Sequence, residues 1–73
     1  MTHHYVTYWH HDGRLHHQTH HHEHDAHKEY EHKRAHGHSC AVLHHGNVVH
    51  IHHGHHGHQF EHEIKHHFSH HGW

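Results

Sequence analysis

Histidine supplies 27 of the 73 residues. Any interior must therefore be assembled from what stands between the imidazoles. That remainder is ordinary. Apolar residues and glycine are roughly a third of the whole chain, but about half of it once the histidines are set aside, the usual share of a globular domain. The low mean hydropathy, taken alone, reads as disorder. Taken with this remainder, it reads as a folded domain carrying a polar coat.

The length bounds the rest. Seventy-three residues make one domain, residues 1–73, with a small core. No apolar run has the length of a membrane span, and no signal-peptide core follows Met1, so neither a membrane partner nor a targeting signal is expected. Nothing in the residues assigns a compartment beyond the cytoplasm of a recombinant host. The single cysteine, Cys40, excludes an intramolecular disulfide.

The order of the remaining residues predicts six elements. YVTYW at 5–9 is β-branched and aromatic, a strand pattern. Asp12-Gly13 is a two-residue hairpin turn, and 14–19 returns as a second strand. A helix is expected over 21–36, with Thr19 near its N-cap and Gly37 at its C′ position. SCAVL at 39–43 and VVHIH at 48–52 read as a second strand pair turning through HHGN. Phe60, Ile64 and Phe68, four apart, form one stripe of a second helix over 59–69.

A shift of 34 residues superposes the two halves as pseudo-repeats 5–36 and 39–70. It carries Ala26 onto Phe60, Tyr30 onto Ile64 and Val6 onto Cys40. The expected fold is therefore α+β: two tandem ββα units forming a four-stranded antiparallel sheet, with two helices packed on one face. In this reading Val6, Tyr8, Leu15, Cys40, Val42, Val49 and Ile51 lie under the helices. Tyr5, Thr7, Trp9, Ala41, Leu43 and Val48 line the other face. That face is too apolar to stand bare, which suggests a homodimer through Tyr5, Trp9, Leu43 and Val48, or cover from Trp73 and the glycine-rich link.

Histidines fall where solvent is expected. His58, His62, His66 and His70 form a row opposite the apolar stripe of the second helix. His20, His24, Lys28, His32 and His36 do the same on the first. Imidazoles thus occupy positions where Lys, Glu, Ser or Thr normally stand. The simplest history is an engineered domain whose surface has been replaced by histidine. Natural nickel-storage and other histidine-rich proteins are similar in composition, but their histidines form tails or tracts beside a domain.

Neutral imidazole suits Zn, Ni, Cu and Co. Two histidines at i,i+4 on a helix can chelate one ion. The metal candidates are His20, His24, His32, His36, His58, His62, His66 and His70, and strand neighbours such as His50 and His52 add to them. No cofactor is required for this reading.

His62-Glu63-Ile64-Lys65-His66 is similar to the zincin signature over five residues. That resemblance implies zinc on His62 and His66, with Glu63 as general base. The extended signature needs a downstream glycine and a third histidine at a spacing that His71 and Gly72 do not supply. With histidine this frequent and five glutamates in the chain, roughly 0.7 such matches arise by chance. Cys40 sits in an apolar strand, where an inert thiol is the default. No catalytic residue is assigned, and the chain is not expected to be an enzyme.

Five Lys and Arg against seven Asp and Glu are too few cations for specific nucleic-acid binding at neutral pH. The reading is a folded, non-enzymatic domain whose histidine surface binds divalent transition metals and responds to pH. One alternative is an interaction module, a homodimer through the apolar sheet face. Another is a natural histidine-rich metal buffer or storage protein.

Overall fold

The structure, a computed structural model, describes residues 4–54 and 57–71, and of residues 57, 58 and 71 the backbone only. The element order is β1 (Tyr5–His11), β2 (Arg14–His20), α1 (Glu23–Ala35), β3 (Cys40–His44), β4 (Asn47–His52) and α2 (Gly57–His71). The four strands make one antiparallel sheet in the order β2-β1-β3-β4. The fold is α+β, built from two ββα-like units, as the sequence predicts.

Local chemistry explains the punctuation. Asp12 and Gly13 have φ of 53° and 75°, and His45 and Gly46 have 53° and 84°. Two consecutive left-handed residues are the tight hairpin turn whose twist matches paired strands. Helix α1 ends in a Schellman motif: His38 N donates to Lys33 O at 3.1 Å and Gly37 N to Arg34 O at 3.0 Å. Gly37 sits at φ 83°, a conformation that glycine adopts without a Cβ penalty.

The start of α1 differs from the expectation. Thr19 and His20 continue β2, paired with Val6 and Tyr5, and the helix begins at Glu23 with His22 as N-cap. Strand pairing with β1 outlasts the helical spacing here. His20 is therefore a strand residue.

The two helices lie on opposite faces of the sheet, not on one. Under α2 a cluster forms from Val6, Tyr8, Ala41, Leu43, Phe60, Ile64 and Phe68, with Leu15, Val48 and Ile51 packed against it. Under α1 lie Cys40, Val42, Ala26 and Tyr30, flanked by Tyr5 and Trp9. The cause is register. Antiparallel pairing of β1 with β3 sets Val6 against Leu43 and Tyr8 against Ala41. Even-numbered residues of β1 therefore share a face with odd-numbered residues of β3.

A second irregularity moves β4. A β-bulge opposite Val42/Leu43 leaves Val49 unpaired, so His50 meets Val42 and Ile51 meets Ala41. Val49, expected inside, is exposed. Tyr5, Trp9, Leu43 and Val48 are consequently not one surface: the first two lie on the α1 side, the last two on the α2 side. The face expected to stand bare has a helix over it. Trp73 lies outside the described residues.

Helix α1 comes close to the sheet because Ala26 is small. The Thr7 hydroxyl, fully buried, donates to Ala26 O at 3.2 Å, so its polar atom is satisfied inside the core. Gly54 makes a comparable close approach to Ser39. Its N–H donates to Ser39 Oγ at 2.8 Å, and a Cβ on Gly54 would lie 2.6 Å from that oxygen.

Candidate metal-binding surface

The core contains no histidine among the described residues. Its eleven buried hydrophobic side chains are Val, Tyr, Ala, Cys, Leu, Phe and Ile. Every imidazole with a described side chain is exposed or half-buried. The histidines are a coat, as the spacing predicts.

Within that coat, His32 and His36 bring two ring nitrogens together. His32 is in the last turn of α1 and His36 is its C-cap. Their Nε2 atoms stand 3.1 Å apart, with ring centroids at 4.7 Å. Metal–imidazole bonds are about 2.0–2.1 Å, so two nitrogens on one tetrahedral ion stand roughly 3.3 Å apart. The pair lies within a few tenths of an ångström of that bite. In the apo chain one nitrogen donates to the other, an arrangement that a metal ion would replace.

The other predicted ligands divide. His66 and His70, both exposed on α2, have ring centroids 4.4 Å apart. His62 is exposed on the same helix. The side chain of His58 lies outside the described residues. His20 and His24 do not form a helical i,i+4 pair, because His20 belongs to β2 and His24 to the first turn of α1. His20 instead lines an open hollow of about 450 Å³ between β2 and α1, with Gln18, Asp25, Lys28, Glu29 and His32. His50 and His52 both face the α1 side, opposite Val42 and Cys40. Among the described residues, no group of three or more His, Cys, Asp or Glu side chains is gathered to hold one ion.

Contacts between elements make imidazole pairs that sequence spacing did not single out. His27 of α1 meets His50 of β4 at 4.7 Å between centroids, and both stack near Tyr30. His17 meets His67 at 4.8 Å, and His67 Nδ1 shares a 2.9 Å hydrogen bond with the buried Tyr8 hydroxyl. His11 of β1 meets His38 at 5.1 Å. His38 is held below the usual imidazole range, first by burial, then by repulsion from His11, His36 and Lys33, with Asp12 opposing.

In the five-residue zincin likeness His62 and His66 are exposed on α2. Glu63 turns toward the sheet, its carboxylate 3.2 and 3.3 Å from His10 Nε2. A general base for water on a zinc ion would have to face that ion. Two aromatic rings on the α1 side are engaged by neighbours. Trp9 has the Lys33 ammonium 4.5 Å from its centroid and stacks with His16, and Tyr5 stacks on His44 at 4.0 Å.

Cys40 is fully buried, and its thiol donates to Tyr30 O at 3.5 Å. Burial pushes its pKa up to about 11. The thiolate is the nucleophile, so alkylation by iodoacetamide at pH 8 is expected to be at least about a hundredfold slower in the native chain than in urea. A native rate close to the unfolded rate would show that β3 does not bury Cys40. Burial likewise raises the Tyr30 hydroxyl, with Cys40 and Glu31 adding to it and Arg34 opposing.

Compared with protein-family models, curated proteins and solved structures, the chain matches none.

Proposed function

We propose that the protein is an engineered, non-enzymatic folded domain whose histidine surface takes up divalent transition-metal ions and changes charge with pH. The observation that carries this reading is the 3.1 Å approach of His32 and His36 Nε2 on a chain whose core needs no imidazole. Zinc, nickel, copper or cobalt fits such a donor set. Binding requires neutral imidazole, so affinity falls as pH drops through the histidine range near ~6.5. In this reading the fold stands apart from the ion, since both core clusters are built from apolar and aromatic side chains with no imidazole among them.

The test is a zinc titration at pH 8 followed by NMR of the imidazole rings. At substoichiometric zinc the His32 and His36 signals are expected to move first, with no change in backbone dispersion. The variant His36→Ala leaves a lone imidazole there and is expected to weaken zinc binding at His32 about tenfold or more, through loss of the chelate. Signals that move evenly over all histidines, or an unchanged His32 affinity in the variant, would contradict the assignment.

A further inference from the structure

We propose that divalent transition metal joins copies of this chain into open linear assemblies, each ion bridging a histidine pair of one copy to a pair of the next. The proposal rests on the metal-binding reading above. It goes beyond that reading by naming the partner that completes the coordination shell: a second copy of the chain.

Three observations lead there. The pairs His32/His36 and His66/His70 are exposed, with centroids 4.7 and 4.4 Å apart. Each pair fills only two positions of a tetrahedral zinc ion. Among the described residues no group of three or more His, Cys, Asp or Glu side chains is gathered about either pair to hold one ion. The open positions therefore go to water or to another molecule.

The direction of growth follows from the fold. Helices α1 and α2 cover opposite faces of one sheet. The molecule is only 17 Å across its shortest axis. The two chelating pairs therefore ride on helices covering opposite faces of a thin slab, each beside β2: His32 shares a hollow with Gln18 and His20, and His66 and His70 share one with Leu15. A copy bridged through α1 still presents α2 to solvent, and the reverse holds. An α1 pair can meet an α2 pair, or like can meet like. In both cases each copy keeps a second site on its other face, so every bridge leaves a site for a further copy, and growth stays open wherever the rotation between copies does not close a ring. Near neutral pH the formal charge is only −2 with imidazoles uncharged, so copies do not strongly repel. Acid reverses the process twice over: protonated imidazole is no longer a ligand, and charged copies push apart.

Sedimentation velocity and equilibrium dialysis of the full chain with zinc chloride at pH 8 test this, with circular dichroism recorded on the same samples. With excess chelator one small species is expected. With zinc in slight excess, the weight-average mass is expected to rise about fourfold or more and to keep rising with protein concentration. It should fall back on adding chelator or on acidification to pH 5.5. Replacing one pair, as in His32→Ala/His36→Ala, is expected to halt growth near the dimer. Replacing both pairs, with His66→Ala/His70→Ala added, is expected to leave the mass near its starting value.

Zinc uptake by dialysis without any gain in mass would overturn the bridging while leaving metal binding intact. No uptake at all would overturn both. Undiminished growth in the four-histidine variant, or growth accompanied by loss of the folded spectrum, would also overturn it.

Discussion

Lowering the pH from 8 to 5 at low salt, with chelator present, is expected to drop the melting temperature by about 10 °C or more. The formal charge is −2 with neutral imidazoles, and protonating all 27 takes it to +25. A compact chain carrying that charge repels itself. His38 gives the sign for one residue. Its folded-state pKa lies below the ordinary value, because of burial and then the charges of His11, His36 and Lys33. The unfolded chain therefore binds the proton first. The stability tied to His38 is complete above the ordinary histidine range, is lost as pH falls through about 6.5, and levels off only below its lowered folded value. Melts by circular dichroism at pH 8, 6.5 and 5 read this directly. Raising the salt at pH 5 should restore part of the loss by screening the exposed charges. A melting temperature that stays level or rises toward pH 5 would contradict a coat of titrating imidazoles.

Phe60→Ala is expected to remove most of the stability. Phe60 is fully buried on α2 among Val6, Tyr8, Leu43, Ile64 and Phe68. Truncating such a ring costs about 3–5 kcal/mol in lost transfer energy and cavity. A domain of this length is stable by only about 4–11 kcal/mol. His62→Ala, two residues away on the exposed side of the same helix, is expected to change stability by less than about 0.5 kcal/mol. Urea unfolding of both variants against the parent chain makes the comparison. Similar losses in both would mean that α2 does not sort its residues into an inner stripe and a histidine coat.

The turn chemistry and the inner stripe of α2 were legible in the sequence. Asp12-Gly13 demands a left-handed pair, Gly37 permits a Schellman ending, and the Phe60, Ile64, Phe68 spacing leaves one inner face for a helix. The side of the sheet on which each helix lies was not legible. It is decided by the β1–β3 register, a pairing between strands about 35 residues apart, and one residue of slip exchanges the faces. The bulge at Val49 had no turn residue or proline to announce it. The start of α1 was obscured because histidine, a weak signal for helix or strand, fills 20–22.

The candidate site divides in the same way. His32/His36 was visible as a local i,i+4 pair. The pairs His27–His50, His17–His67 and His11–His38 depend on which elements meet, and no spacing along the chain encodes that. His20 was misplaced for the same reason as the helix start: β2 claims it for the ladder with Tyr5.

The claim beneath all of this is that the apolar residues close a core without metal. An amide NMR spectrum at pH 8 with excess chelator tests it most directly. The expected result is a dispersed spectrum with cross-strand NOEs joining Val6 to Leu43, the β1–β3 register that sets the two helices on opposite faces, and Val42 to His50, across β3 and β4 beside the bulge. A collapsed, random-coil spectrum that disperses only after zinc is added would contradict it.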